Sequence, residues 1–304
     1  MGMQVGFIGT GTMGHPMAAN VVAAGHHVRV HDVSPGATSR LVELGAVDAA
    51  SPAAAASGAD VVLLSLPGPV EVRAAILAVG GVLDADPLPR MVVDLSTNSP
   101  GTVAELAERC AGRGVTFVDA PVSGGVAKAE TGTLAVLVGA TPESLEATRP
   151  VLEAIGRDIL HVGPCGAGTI AKIVNNQLFL AGAVAVQEAY VLGAALGMTP
   201  TDLHQVVAAS SAAPYAKLAP LLLGRTFDDV IFRLDIAAKD LHLAVESADE
   251  AGVDVPLTRA AAEVYAAAAA HGDAGLVFHA TLRELERRAE IELPPLRRTD
   301  RSAS

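Results

Sequence analysis

The sequence predicts an α/β domain built on a doubly wound parallel sheet, followed by an all-α domain joined to it by a long helix. Three observations predict it. Short Val/Ile/Leu runs alternate with Ala-rich, helix-period segments up to residue 162; a glycine-rich turn directly follows the first run; and strand-like runs cease beyond a Gly/Pro linker at residues 163–168. The chain has 304 residues, and single cores stop growing at roughly 250 to 300. Two domains are therefore expected, residues 1–163 and 164–292, with 293–304 read as a disordered tail because its Pro-Pro, Arg-Arg and Ser cannot bury surface.

The expected strands are Val5 to Gly9, Val28 to Asp32, Val61 to Leu66, Met91 to Asp94, Thr116 to Asp119, Leu134 to Val138 and Ile159 to Val162. Continuous apolar runs such as Val61-Val62-Leu63-Leu64 fit strands covered on both faces. Thr169 to Leu196 reads as one long helix. After it come helices over Pro200 to Ala209, Tyr215 to Leu223, Leu234 to Ala251, Pro256 to His271 and Gly275 to Glu290, separated by Gly and Pro signals.

Composition narrows the function. Hydrophobic residues make up 51% but aromatics only 3%, so burial comes from Ala, Val and Leu. A net charge of −12 argues against a nucleic-acid partner, which needs a basic surface. Cys110 and Cys165 are too few for a disulfide framework and suit a reducing cytoplasm; both are read as buried, small apolar residues. The chain runs straight into a strand, so no signal peptide is expected. The most apolar stretch, Leu178 to Leu196, carries Gln187 and Glu188 near its middle, which favours a buried helix over a membrane span.

Gly9-Thr10-Gly11-Thr12-Met13-Gly14 follows the first strand and opens a helix, the context of a Rossmann-like dinucleotide site. Gly9 permits the turn, Gly11 admits the pyrophosphate, and Gly14 lets helix and strand approach. The helix N-terminus then faces the diphosphate. Asp32 ends the second strand, where a carboxylate binds ribose hydroxyls and repels a 2′-phosphate; NAD is thus favoured over NADP. Ser65-Leu66-Pro67 and Ser96-Thr97 fall at strand carboxyl ends and are candidates for lining the nicotinamide and its ribose.

The long helix places Lys172 and Asn176 one turn apart on one face, among apolar neighbours. Such a lysine either snorkels to water or has its pKa lowered for acid/base work. Ser123-Gly124-Gly125 offers a hydroxyl and two bare amides that can wrap a carboxylate, or serves as a flexible turn. Lys239 is expected to pair with Asp235 or Glu246 on the surface. Nine histidines show no metal-ligand pattern, and no metal is expected.

Together these segments resemble the β-hydroxyacid dehydrogenase family, nearest 3-hydroxyisobutyrate dehydrogenase and tartronate semialdehyde reductase. The markers are Gly9 to Gly14 with Met17-Ala18-Ala19-Asn20, Asp94-Leu95-Ser96-Thr97, Asp119 to Gly125 with Gly132-Thr133-Leu134, Gly166-Ala167-Gly168 leading to Lys172 and Asn176, and Lys239-Asp240-Leu241. The resemblance implies that Lys172 is the catalytic acid/base and that Asn176 and the Ser123, Gly124, Gly125 loop hold the substrate. It also implies that Phe232 and Lys239 serve the cofactor from the second domain. It carries over a homodimer or homotetramer and a small carboxylate-bearing hydroxy acid or semialdehyde as substrate. Residues 210–236 match no branch, which leaves the substrate's distal group open. The competing readings are an NADPH-dependent reductase of glyoxylate or succinic semialdehyde, opposed by Asp32, and a non-catalytic dinucleotide-binding protein, opposed by Lys172.

Overall fold

The computed structural model describes residues 2–296. The strands are β1 (Gln4–Ile8), β2 (His27–His31), β3 (Val47–Asp48), β4 (Val61–Leu64), β5 (Met91–Asp94), β6 (Thr116–Asp119), β7 (Val122–Ser123), β8 (Leu134–Gly139) and β9 (Gly156–Gly163). All seven expected strands are present. The two-residue β3 and β7 were not foreseen, because runs that short carry no periodicity. The sheet order is β3-β2-β1-β4-β5-β6-β8-β7, with β9 pairing on β8. From β3 to β6 every pairing is parallel. Beyond β6 the sheet is mixed: β8 runs antiparallel to β6 and β7, and β9 is parallel to β8.

Ser/Thr-Pro pairs start four helices, at Pro52–Ala56, Pro100–Ala111, Pro142–Ile155 and Pro200–Ala208. In each, the Ser or Thr side chain accepts an N–H from the first turn, and proline takes the position whose own N–H needs no partner. The helices cover both sheet faces, and β4 shows the consequence residue by residue. Val61 and Leu63 pack into one apolar layer with Met17, Val21 and Leu152, whereas Val62 and Leu64 pack into the other with Ile76 and Leu106. This is why β4 is apolar at every position.

The compact units divide between Val174 and Asn175, inside the helix Ala167–Ala195, rather than at the expected 163/164. A strand–linker boundary marks where the pattern changes, but the helix's first turns pack with the sheet. The second unit is helical around Leu180, Val184, Leu234, Tyr265 and Phe278. The expected helix Tyr215 to Leu223 is two short ones, Ala213–Ala216 and Ala219–Leu222. Pro220 sits at the start of the second, where its missing N–H does no harm.

Two expectations are corrected at their edges. Leu293, assigned to a disordered tail, is buried, and Leu296 packs against the same core. The Leu293 N–H donates to Glu286 at 2.8 Å and its carbonyl accepts from Arg225 at 3.1 Å. The rest of that tail, residues 297–304, lies outside the described residues. Cys110 is buried as expected, but Cys165 is exposed.

The helix Ala167–Ala195 is long and apolar enough to cross a membrane by length and composition, with a mean hydropathy of 1.6, and 44% of that window is buried. Its Asn176, Gln177, Gln187 and Tyr190 side chains hydrogen-bond to other protein groups. Gln187 is buried, donates to the Leu222 and His279 carbonyls, and accepts from Thr281.

Candidate active site

In the first unit the glycine turn has the geometry its spacing predicts. Gly9 has φ +90°, and a Cβ there would lie 2.3 Å from the Ser65 carbonyl oxygen. At Gly14 a Cβ would lie 1.9 Å from the Gly9 carbonyl oxygen, so helix and strand touch through bare backbone. Gly11 differs: a Cβ there meets no protein atom within 4 Å. Protein packing does not demand glycine at 11, and the open cradle fits a diphosphate lying on the loop. Thr12 and Met13 complete the turn before the helix Gly14–Ala23.

Asp32 follows β2 directly. Its Oδ2 accepts the Thr10 N–H at 2.7 Å and the Thr10 hydroxyl at 3.2 Å, and its Oδ1 accepts the Ser34 N–H at 2.8 Å. Burial pushes the carboxyl pKa up, but the hydrogen bonds from Ser34 and Thr10 outweigh it and hold the group below its ordinary value. A carboxylate is thereby fixed against the glycine turn.

The next loops are tied together by one bond: the Leu66 N–H donates to Ser96 Oγ at 3.0 Å, bringing Leu66-Pro67 beside Ser96-Thr97. Under them lie two buried carboxylates that sequence reasoning quoted without a role. Asp94 and Asp119 occupy paired positions at the carboxyl ends of β5 and β6. Asp94 accepts the Ser96 N–H at 3.0 Å and the Asn98 amide at 2.9 Å; burial pushes it up to about 6, and Asp119 adds to that.

Asp119 reaches further along the chain. Its Oδ1 accepts the Gly166 N–H at 2.6 Å and its Oδ2 the Thr169 N–H at 2.7 Å, capping the helix that carries Lys172. Burial raises its pKa against those bonds. A Cβ at Gly139 would lie 2.3 Å from Asp119 Oδ1, and one at Gly168 would lie 3.0 Å from Oδ2. Gly168 also keeps a Cβ off the Leu137 carbonyl oxygen, 2.2 Å away, and Gly166, at φ +96°, gives its N–H to the carboxylate. Negative charge at that end is favoured by the helix dipole. Four residues after Asp119, Ser123 ends β7, and Gly124 (φ +139°) and Gly125 (φ +74°) turn the chain into the helix Gly125–Glu130. Thus one buried side chain, four residues before Ser123, is bonded to the start of the Lys172 helix.

In the second unit, Asn176 and Asp240 are buried, and the Asn176 amide donates to Asp240 Oδ2 at 2.7 Å. Lys239 forms an ion pair with Asp240 at 2.7 Å, while Asp235 pairs with Arg233 and Glu246 with His242. Asp240 is buried and needs a cation, which the neighbouring lysine supplies. Phe232 packs on Phe278 with the rings tilted by 39° and their centroids 5.8 Å apart. The sequence signal that would have revealed Asp94, Asp119 and Asp240 is an acidic residue ending or interrupting an apolar run, which is costly unless partnered. Among the described residues no group of three or more His, Cys, Asp or Glu could hold a metal ion.

Comparison with known proteins agrees with this architecture. Residues 4–163 match the family described as the NAD binding domain of 6-phosphogluconate dehydrogenase. Residues 166–285 match that described as NAD-binding of NADP-dependent 3-hydroxyisobutyrate dehydrogenase. The 2-(hydroxymethyl)glutarate dehydrogenase of Eubacterium barkeri is 37% identical over 89% of this chain and 90% of its own. The 3-hydroxyisobutyrate dehydrogenase of Pseudomonas aeruginosa is 38% identical over 84% and 88%. The structure of Mycobacterium tuberculosis 3-hydroxyisobutyrate dehydrogenase with L-serine superposes with TM-score 0.84 at 34% identity, covering 94% of this chain and 99% of that one. With a dinucleotide turn, a Rossmann-like sheet and a helical second unit matched along most of its length, the chain belongs to the β-hydroxyacid dehydrogenase family, the NAD(P)-dependent oxidoreductases of CH–OH groups.

Proposed function

We propose that the protein is an NAD-preferring dehydrogenase of a small β-hydroxy acid of the 3-hydroxyisobutyrate kind, with Lys172 as general acid/base. The observation that carries this reading is Asp119, which holds the Lys172 helix by its first turn and stands four residues before the Ser123 loop. The group that moves a proton is thereby set from a buried anchor at the end of the strand that leads into the loop that holds a carboxylate. Asp32 supports NAD, since a carboxylate held against the glycine turn by two amides accepts from ribose hydroxyls and repels a 2′-phosphate.

When bound, the nicotinamide takes or gives the hydride. Ser123 and the amides of Gly124 and Gly125 donate to the substrate carboxylate. Asn176 orients the substrate from the following helical turn, its amide fixed by Asp240. Lys172 Nζ receives the proton of the hydroxyl as the carbinol carbon is oxidised and returns it in the reverse direction. General acid/base catalysis of this kind supplies roughly 10² to 10⁴ in rate. Gly9, Thr10, Gly11, Thr12, Met13, Gly14, Leu66, Pro67, Thr97, Phe232 and Lys239 make up the cofactor side of this reading.

The same reading includes a second copy of the chain and a reducing cytoplasm. Leu178 (71% exposed) and Leu192 (60%) lie seven residues to either side of exposed Ala185, and Val174 and Leu196 eleven to either side. Two such helices crossing antiparallel at Ala185 set Leu178 opposite Leu192 and Val174 opposite Leu196, and the reverse, as an isologous two-fold contact requires. Initial rates with NAD and NADP over a panel of short hydroxy acids and semialdehydes, followed by nicotinamide absorbance, test the function. NAD-dependent oxidation of a β-hydroxy acid is expected; a clear preference for NADPH and glyoxylate or succinic semialdehyde would replace the reading.

A further inference from the structure

The Ser123 loop carries a cation that the reaction as derived does not use. Lys128 is the fourth residue of the helix Gly125–Glu130 and is exposed. Helical side chains lean toward the N-terminus of their helix, and this one folds back over the loop. Its Cδ and Cβ lie 2.5 and 3.0 Å from where a Cβ on Gly124 would be. The ammonium is two bonds beyond Cδ, and the stem that carries it crosses the loop whose amides hold the substrate carboxylate in the function proposed above. Among the described residues it makes no ion pair within 4.0 Å, although the chain has 33 acidic against 21 basic residues. Glycine at 124 lets the stem lie there, because any side chain would occupy its path.

One carboxylate is already satisfied by the Ser123 hydroxyl and two N–H groups, which are neutral donors. Those donors fill the hydrogen-bonding sites of the first carboxylate, which leaves the cation on the rim of the loop to meet a further group. That cation is matched by a substrate that bears a second negative group. We propose that Lys128 is a specificity-determining residue that pairs with a second anionic group of the substrate, so that the preferred substrate is a dianionic β-hydroxy acid. This rests on the proposed function and adds the substrate's distal chemistry to it.

A matched pair of compounds isolates that charge. In 2-(hydroxymethyl)glutarate and 2-(hydroxymethyl)pentanoate the reacting carbinol and its neighbouring carboxylate are the same, and only the distal end differs, carboxylate against methyl. The wild-type protein is expected to favour the glutarate in kcat/KM by roughly tenfold or more, about 1.4 kcal/mol, with the preference shrinking as salt is added. Lys128→Met is expected to lose that preference through KM, with kcat and the pentanoate values unchanged, and Lys128→Arg to keep it. A wild-type preference for the pentanoate, or an equal loss on both compounds in Lys128→Met, overturns the inference while leaving the dehydrogenase reading intact. Inactivity of the wild type on every hydroxy acid with both cofactors overturns the reading and the inference together.

Discussion

The Oδ2 atom of Asp119 accepts the backbone N–H of Thr169 at 2.7 Å, across 50 residues of sequence. Lys172 follows Thr169 by three residues, so the bond sets where the first turn of its helix begins. The arrangement couples the carboxyl end of β6 to the direction of a 29-residue helix.

Removing that cap has a defined cost. Asp119→Asn keeps the volume but turns an NH₂ group toward one of the two amides it should accept from. A loss of roughly 2 kcal/mol is expected, lowering the melting temperature of the first unit by about 4 to 8 °C. NADH affinity, read by fluorescence, should stay unchanged while kcat falls; an unaltered kcat would remove Asp119 from the positioning of Lys172.

Lys172→Ala tests the acid/base assignment directly. Turnover should drop by about 10² to 10⁴, with NADH still bound at wild-type affinity. Retention of most of the activity would mean that another group moves the proton.

The glycines separate packing from binding. Gly14→Ala places a methyl 1.9 Å from the Gly9 carbonyl oxygen and should destabilise or abolish the fold. Gly11→Ala meets open space, so its thermal melt should match wild type while the dissociation constant for NADH rises roughly tenfold, about 1.4 kcal/mol. Equal effects of Gly11→Ala on both measurements would contradict the cradle.

Asp32→Ser should move cofactor preference. The carboxylate's repulsion of a 2′-phosphate is removed, so the NADP/NAD ratio of kcat/KM should rise roughly tenfold. Rates with both nicotinamides on one substrate check it, and an unchanged ratio would place the discrimination elsewhere.

His279 gives the helical unit an acid sensitivity. Its ring is buried between Phe227 and Phe278, neither nitrogen has a hydrogen-bond partner among the described residues, and burial pushes it down to about 4 from 6.5. The unfolded chain binds this proton first, so stability is full above pH 6.5 and is lost as pH falls from there toward 4, by about 3 kcal/mol in all. Melting temperatures across that range should fall for the wild type. In His279→Leu the decline should be shallower, and an identical slope would exclude the ring.

Much of this molecule was written locally. The turn Gly9 to Gly14 requires conformations and close approaches that only glycine supplies, so spacing alone located it. The apolar run of β4 told of cover on both faces, and the helix Ala167–Ala195 followed from composition over many turns. Mixed pairing beyond β6 was not legible, since the direction of β8 depends on how Pro121 and the two-residue β7 lead the chain back, and neither has a periodic signature. Nor was the pairing of Lys239 with Asp240 legible, because Asp235, Asp240 and Glu246 are equally acidic until burial distinguishes them.

What the amino-acid order determined by itself was the set of elements and the chemistry available at their ends: a dinucleotide turn, an acidic residue after β2, a lysine and an amide one helical turn apart. Only the tertiary structure decided which buried carboxylate meets which donor. Asp119 finds Thr169 and Asp240 finds Asn176 over 50 and 64 residues, and Lys128 lies across Gly124. The reason is physical. Backbone conformation and periodicity are short-range properties of the chain, whereas the cost of burying a charge is settled by whatever groups the finished packing sets within hydrogen-bonding distance.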